Sequence, residues 1–154
     1  MEKFIKQGQI IVGLDFDNSR NALEITKFLN PENYKVKVGN QLFTACGPQI
    51  LEDLKKQGFD IFLDLKYHDT PNTVQKAVLE ACKHQVWMTN IHLSGGQNMI
   101  EAAVNAKHSI SSEILLIGVT VLTSLDQKDL SDIGVSNDLR DQIISLINLG
   151  KRGG

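Results

Sequence analysis

An acid, a lysine and a second acid stand close together in Asp64-Leu65-Lys66-Tyr67-His68-Asp69-Thr70-Pro71-Asn72-Thr73. A lysine amine set among carboxylates can serve as a fixed cation or deliver a proton. The apolar run before it, Phe59-Asp60-Ile61-Phe62-Leu63, reads as a buried strand. Side chains alternate along an extended strand, which predicts that Asp64 and Lys66 share a face. Asp69 falls in a predicted loop, and Pro71 opens a helical pattern at a position that proline favours. Charges gathered at the end of a buried strand cost desolvation unless they satisfy one another. A structural ion pair capping the strand would use the same residues, so this segment alone leaves both readings open.

The elements that must hold the segment repeat along the chain. A first strand is predicted over Gln9–Asp15, after a short leader, Met1–Gly8. Asn18 or Ser19 can cap a helix to about Leu29, with Pro31 as its stop. A second strand spans Tyr34–Gly39. The helical stretch after it is broken by Gly47-Pro48 and ends at Gly58. Thr70 is a candidate cap for a helix from Pro71 to about Lys83. A fourth strand, Val86–His92, leads through Ser94-Gly95-Gly96 into a helix over about Gln97–Lys107. Trp87 and Met88 read as core, and Gly95-Gly96 as a tight turn. A fifth strand covers Ile114–Leu122. A short helix near Leu125–Leu130, a turn at Gly134 and a last helix from a Ser136 cap to about Leu149 complete the pattern.

Five strands that are apolar through both faces, alternating with helices, predict an α/β protein with a parallel sheet. The polar residues ending the strands are Asp15, Lys37, Asp64, His92 and Thr120, at gaps of 22, 27, 28 and 28 residues. An eight-unit barrel of about 250 residues repeats at roughly 30 residues and puts its active site at those strand ends. Open doubly wound sheets bind ligands at the same edge, so the alternation does not decide between the two. His92 has no partner at metal-ligand spacing and reads as a packing residue, and His68 reads as a loop residue.

The 154 residues suit one domain, and 42% hydrophobic content supports a core. A net charge of −2 marks no nucleic-acid surface. Cys46 and Cys82 show no metal or redox spacing and read as small helix residues of a reduced, cytoplasmic protein. No apolar run reaches membrane-spanning length.

DLKYHDTPNT, in register with GLDF and KVGNQLF before it and NIHLSGG and VTVLTS after it, resembles the bacterial type of the orotidine 5'-phosphate decarboxylase family. The resemblance runs from about Ile10 to about Val135. It implies the (β/α)8 TIM barrel family, with about the first five βα units in this chain, and a homodimer. The implied activity turns orotidine monophosphate into uridine monophosphate with neither metal nor organic cofactor. Nucleic acid and membrane have no part in it. By the same resemblance, Lys66 donates the proton to the carbon that loses carbon dioxide, and Asp64 lies beside the departing carboxylate. Lys37 bridges to Asp64 and the ribose, and Asp15 binds a ribose hydroxyl. Asp69 crosses into the partner's site with Thr70 beside it. Thr123 and Ser124 meet the pyrimidine and its amide. Leu65, Tyr67, His68, Pro71, Asn72 and Thr73 frame the substrate within the same segment.

The chemistry is consistent with those roles. Decarboxylation leaves a carbanion that the ring cannot delocalise, and a fixed cation beside it stabilises the growing charge. Arginine would be a poor substitute, because it holds its protons too tightly. The departure from the family pattern is length. Three further units and the phosphate-binding residues they carry have no counterpart, and Gly150-Lys151-Arg152-Gly153-Gly154 resembles no strand. The expectation is a truncated or fragmentary member with little or no activity alone, since binding energy on the phosphate is what can be spent at the reacting centre. Two other readings share the pattern: a metal-dependent sugar-phosphate lyase of the same superfamily, and a non-catalytic flavodoxin-like module.

Overall fold

A computed structural model describes residues 10–110 and 113–154, so the leader and Gln9 lie outside the described residues. Five strands form one sheet in the order β1-β2-β3-β4-β5: Ile10–Gly13, Tyr34–Gly39, Ile61–Tyr67, Met88–His92 and Leu115–Val119. The helices are α1 (Ser19–Thr26), α2 (Asn40–Cys46), α3 (Gln49–Lys56), α4 (Pro71–Lys83), α5 (Gln97–Ser109), α6 (Gln127–Asp132) and α7 (Leu139–Gly153). β1, β2 and β3 pair in parallel, with Gly13 opposite Lys37 and Gly39 opposite Asp64. Sequential neighbours in a parallel sheet, each joined by helix, are the expected outcome of βα repetition.

The chain divides into two compact units, and the division passes within β3, α4, β4 and β5. The first holds residues up to Leu65, together with Ala81–Thr89 and Glu113–Leu115. Its core is Leu14, Val36, Val38, Leu42, Ile50, Leu51, Leu54, Ile61 and Leu63, all buried. Burying a side chain of this size stabilises by about 1.5–3 kcal/mol. Asn18 is the α1 cap, its side chain accepting from Asn21 N–H at 2.9 Å. The helix stops at Thr26 rather than Leu29. Lys27, Phe28 and Leu29 each donate to the carbonyl three residues back, which tightens the last turn out of α geometry. Lys35 is buried on β2, paired with Asp60 and placed 4.4 Å from the Trp87 ring centroid. That contact gives Trp87 a specific role beyond general packing.

The second unit holds Lys66–Glu80, Asn90–Ser112 and Leu116–Gly154. Val74, Val78, Met99, Ile100, Ala103, Leu130 and Leu146 are buried in it. Gly95 closes a 3-10 turn, Leu93–Gly95, and Gly96 takes φ 86, a left-handed value that suits glycine before α5. Leu93 is buried where glycines flank it. A Cβ at Gly118 of β5 would lie 2.6 Å from Leu93 Cδ2, and one at Gly150 of α7 would lie 3.1 Å from the same atom. A cavity of about 210 Å³ borders this point, lined by Leu93, Ile100, Ile117 and Ile147 among others. α6 is capped by reciprocal Asp126 and Asp129 bonds, each 2.9 Å.

The structure corrects the C-terminal reading. Asp138, not Ser136, caps α7, accepting from Asp141 N–H at 2.8 Å. The helix then continues past Leu149 to Gly153. Gly150 and Gly153 sit three apart on one face of it. There they permit close approach, to Leu93 and to Ile100 respectively. These glycines therefore extend a packed helix rather than end it. β3 also runs further than its apolar stretch, through Asp64 and Lys66 to Tyr67. No helix among the described residues is long and apolar enough to cross a membrane.

Candidate active site

In the first unit, the strand-end charges meet. Lys37 Nζ lies 3.4 Å from Asp15 Oδ1 and 3.6 Å from Asp64 Oδ2. The register brings this about. Lys37 stands opposite Gly13, two residues before Asp15, and Asp64 stands opposite Gly39. Leu14 N–H still donates to Lys37 C=O at 2.9 Å, so β1 stays paired until just before the acid. Glycine on either side leaves room for the amine. A Cβ on Gly39 would stand 3.4 Å from Lys37 Nζ, and one on Gly13 would stand 3.3 Å from Asp15 Oδ2. Asp64 is buried and Asp15 is exposed, so one ammonium links an interior carboxylate to a solvated one.

In the second unit, Lys66 departs from strand geometry. Its φ is 50, in the left-handed region, which costs a non-glycine residue about 1–3 kcal/mol. The expectation of a shared face for Asp64 and Lys66 assumed extended backbone at both, and the Lys66 backbone is not extended. Lys66 N–H donates to Asn90 Oδ1 at 2.8 Å, and Asn90 is buried on β4. Lys66 itself is half-buried. The His68 and His92 rings pack with centroids 5.4 Å apart at a 33° tilt. Burial holds the His92 pKa below its ordinary 6.5, with the His68 and Lys66 charges adding to the effect. His92 thus favours its neutral form.

Most of the remaining predicted residues lie on exposed turns of this unit. Asp69 turns its carboxylate back onto Thr70 N–H at 2.5 Å. Thr70 C=O accepts from Val74 N–H, the first bond of α4, while its hydroxyl lies 3.1 Å from that of Thr73. Pro71, Asn72 and Thr73 form the exposed first turn of α4. Thr123 and Ser124 are the exposed middle of a turn closed by Leu125 N–H on Leu122 C=O at 3.0 Å. Leu65 and Tyr67 are half-buried on β3. Among the described residues, no three His, Cys, Asp or Glu side chains are grouped to hold a metal ion. Sequence reasoning missed Asn90, Gly13 and Gly39. Thr89-Asn90 inside an otherwise apolar strand was the available signal for the first.

Comparison with known proteins follows the same residues. The family described as "Orotidine 5'-phosphate decarboxylase / HUMPS family" matches residues 8–152. Orotidine 5'-phosphate decarboxylase of Marinomonas sp. (strain MWYL1) is 49% identical over 149 residues, covering 96% of this chain and 63% of the relative. The protein of that name from Saccharophagus degradans is 45% identical, covering 96% of this chain and 62% of the relative. The crystal structure of orotidine 5'-phosphate decarboxylase from Lactobacillus acidophilus superposes with a TM-score of 0.89 at 33% identity, covering 96% of this chain and 69% of that one. The chain thus spans less than two thirds of the length of these curated relatives, and it has the α/β architecture of a TIM-barrel family. With the family's match running through nearly every residue described above, the chain belongs to the orotidine 5'-phosphate decarboxylase / HUMPS family.

Proposed function

We propose that this chain carries the reacting end of an orotidine 5'-monophosphate decarboxylase, a carboxy-lyase of pyrimidine biosynthesis that needs no cofactor. The observation that carries the reading is the charge chain Asp15–Lys37–Asp64, on or just past three adjacent strands toward their carboxyl ends. Strand ends of this kind are where the fold family builds active sites. Lys66, two residues past Asp64, is the proton donor in this reading. Its ammonium stabilises the carbanion as carbon dioxide leaves, then gives it a proton. Asp64 faces the departing carboxylate. Lys37 and Asp15 position the ribose, which acts through orientation rather than bond making.

The same reading makes the protein a cytoplasmic homodimer. Asp69, exposed on the loop after β3, reaches the partner's site with Thr70 beside it. Thr123 and Ser124 meet the pyrimidine, and the segment Leu65–Thr73 frames the nucleotide. Lys66 supplies both cation and proton, so the mechanism calls on no metal.

The test joins this chain to the part of the Marinomonas protein that it does not span, and follows loss of orotidine monophosphate by absorbance. The fusion should turn over, and Lys66→Ala should abolish that turnover. This chain without the fusion should do far less, because phosphate binding energy is missing. An inactive fusion, alongside an active intact Marinomonas protein, would overturn the reading.

A further inference from the structure

Asn90 has no part in the charge chain, yet it is buried in β4 and its side chain meets the one strand residue, among those described, whose backbone is left-handed. Its Oδ1 accepts from Lys66 N–H at 2.8 Å, and Asn90 is 2% exposed. A residue in β3 would ordinarily give its N–H to the neighbouring strand's backbone. The Lys66 N–H, on a residue at φ 50, has a side-chain oxygen within hydrogen-bond reach. The Asn90 amide supplies that partner in the interior, where water competes little for the bond.

We propose that Asn90 is a positioning residue for Lys66: its side-chain carbonyl holds the lysine in the left-handed conformation from which the amine is presented to the reacting carbon. Strained backbone of this kind persists only where its surroundings over-determine it. Without the Asn90 acceptor, the extended conformation is the cheaper one for Lys66. A change from left-handed to extended backbone redirects the side chain, and a misplacement of about 1 Å can cost about a hundredfold in rate. The catalytic consequence rests on the decarboxylase reading, whereas the conformational claim does not.

The test therefore has two readouts. The first is the backbone three-bond HN–Hα coupling of Lys66 by NMR on the full chain. The second is kcat and KM of the fusion described above. Asn90→Ala and the volume-filling Asn90→Leu remove the acceptor, so that one can stand in if the other fails to fold. Both should raise the coupling from its left-handed value to the larger one of extended strand. Both should lower kcat about a hundredfold while KM moves by less than about threefold. Asn90→Asp keeps an oxygen at the same place and should retain the left-handed coupling and most of kcat. An unchanged coupling in the acceptor-less variants would overturn the proposal whatever the activity. A shifted coupling with kcat intact would overturn it equally. An inactive parent fusion with the coupling shifted as expected would sink the decarboxylase reading and uphold the conformational role of Asn90.

Discussion

Lys37 lies almost equally far from two carboxylates, 3.4 Å from Asp15 and 3.6 Å from Asp64, so distance alone predicts equal couplings. Burial predicts otherwise. The Asp64 side chain is 11% exposed and the Asp15 side chain 71%. At an effective dielectric of about 20, the Lys37–Asp64 attraction is about 4.6 kcal/mol, while at about 80 the Lys37–Asp15 attraction is about 1.2 kcal/mol. Desolvation and side-chain ordering subtract from both. The expected measured couplings are about 2 kcal/mol or more for Lys37–Asp64 and under about 1 kcal/mol for Lys37–Asp15. Two double-mutant cycles on urea unfolding give these numbers, using Lys37→Met with Asp64→Asn and Lys37→Met with Asp15→Asn. Salt at 1 M should erase most of the second coupling and spare the first, since screening acts on solvated charges. Equal couplings, or equal salt sensitivity, would refute the view that Lys37 is anchored by its interior partner.

Three further outcomes follow from other contacts. His92 binds a proton less readily folded than unfolded, so the unfolded chain takes up the extra proton below the ordinary value of 6.5. Stability should be full above that pH and fall as the pH drops through it toward the depressed value, and His92→Gln should flatten this slope in urea midpoints measured between about pH 5 and 8. Gly118→Ala should destabilise by about 1–3 kcal/mol by pressing on buried Leu93, read as a lowered thermal midpoint. Asp60→Asn should cost about 1 kcal/mol by leaving buried Lys35 without its carboxylate, a value kept small because Asp60 is solvated, whereas Lys35→Met should be close to neutral in the same urea assay.

The repeat of apolar strands and helices was readable because period and punctuation are local properties. Pro71 opening α4, the Gly47-Pro48 break and the left-handed Gly58 after α3 all came from single residues with strong backbone preferences. Helix ends were less legible where several caps competed. Asp138 prevailed over Ser136, and α7 ran on because its glycines meet Leu93 and Ile100, a tertiary contact that no local signal encodes. The meeting of Lys37 with Asp15 and Asp64 depends on strand register, which the spacing of strand-end residues only suggested. The left-handed turn at Lys66 was invisible, since lysine carries no preference for it and its holder, Asn90, lies 24 positions away.

Trp87 is the sole indole of the chain, and an ammonium hangs over its face. A charge that close shifts the energy of the excited ring, so the native protein carries its own optical label for the unit containing β1 and β2. Emission should change when Lys35 leaves the ring and stay constant while that contact survives. Events confined to the other unit would be dark to it, so comparing fluorescence with circular dichroism during unfolding would reveal whether the two units melt together or in turn.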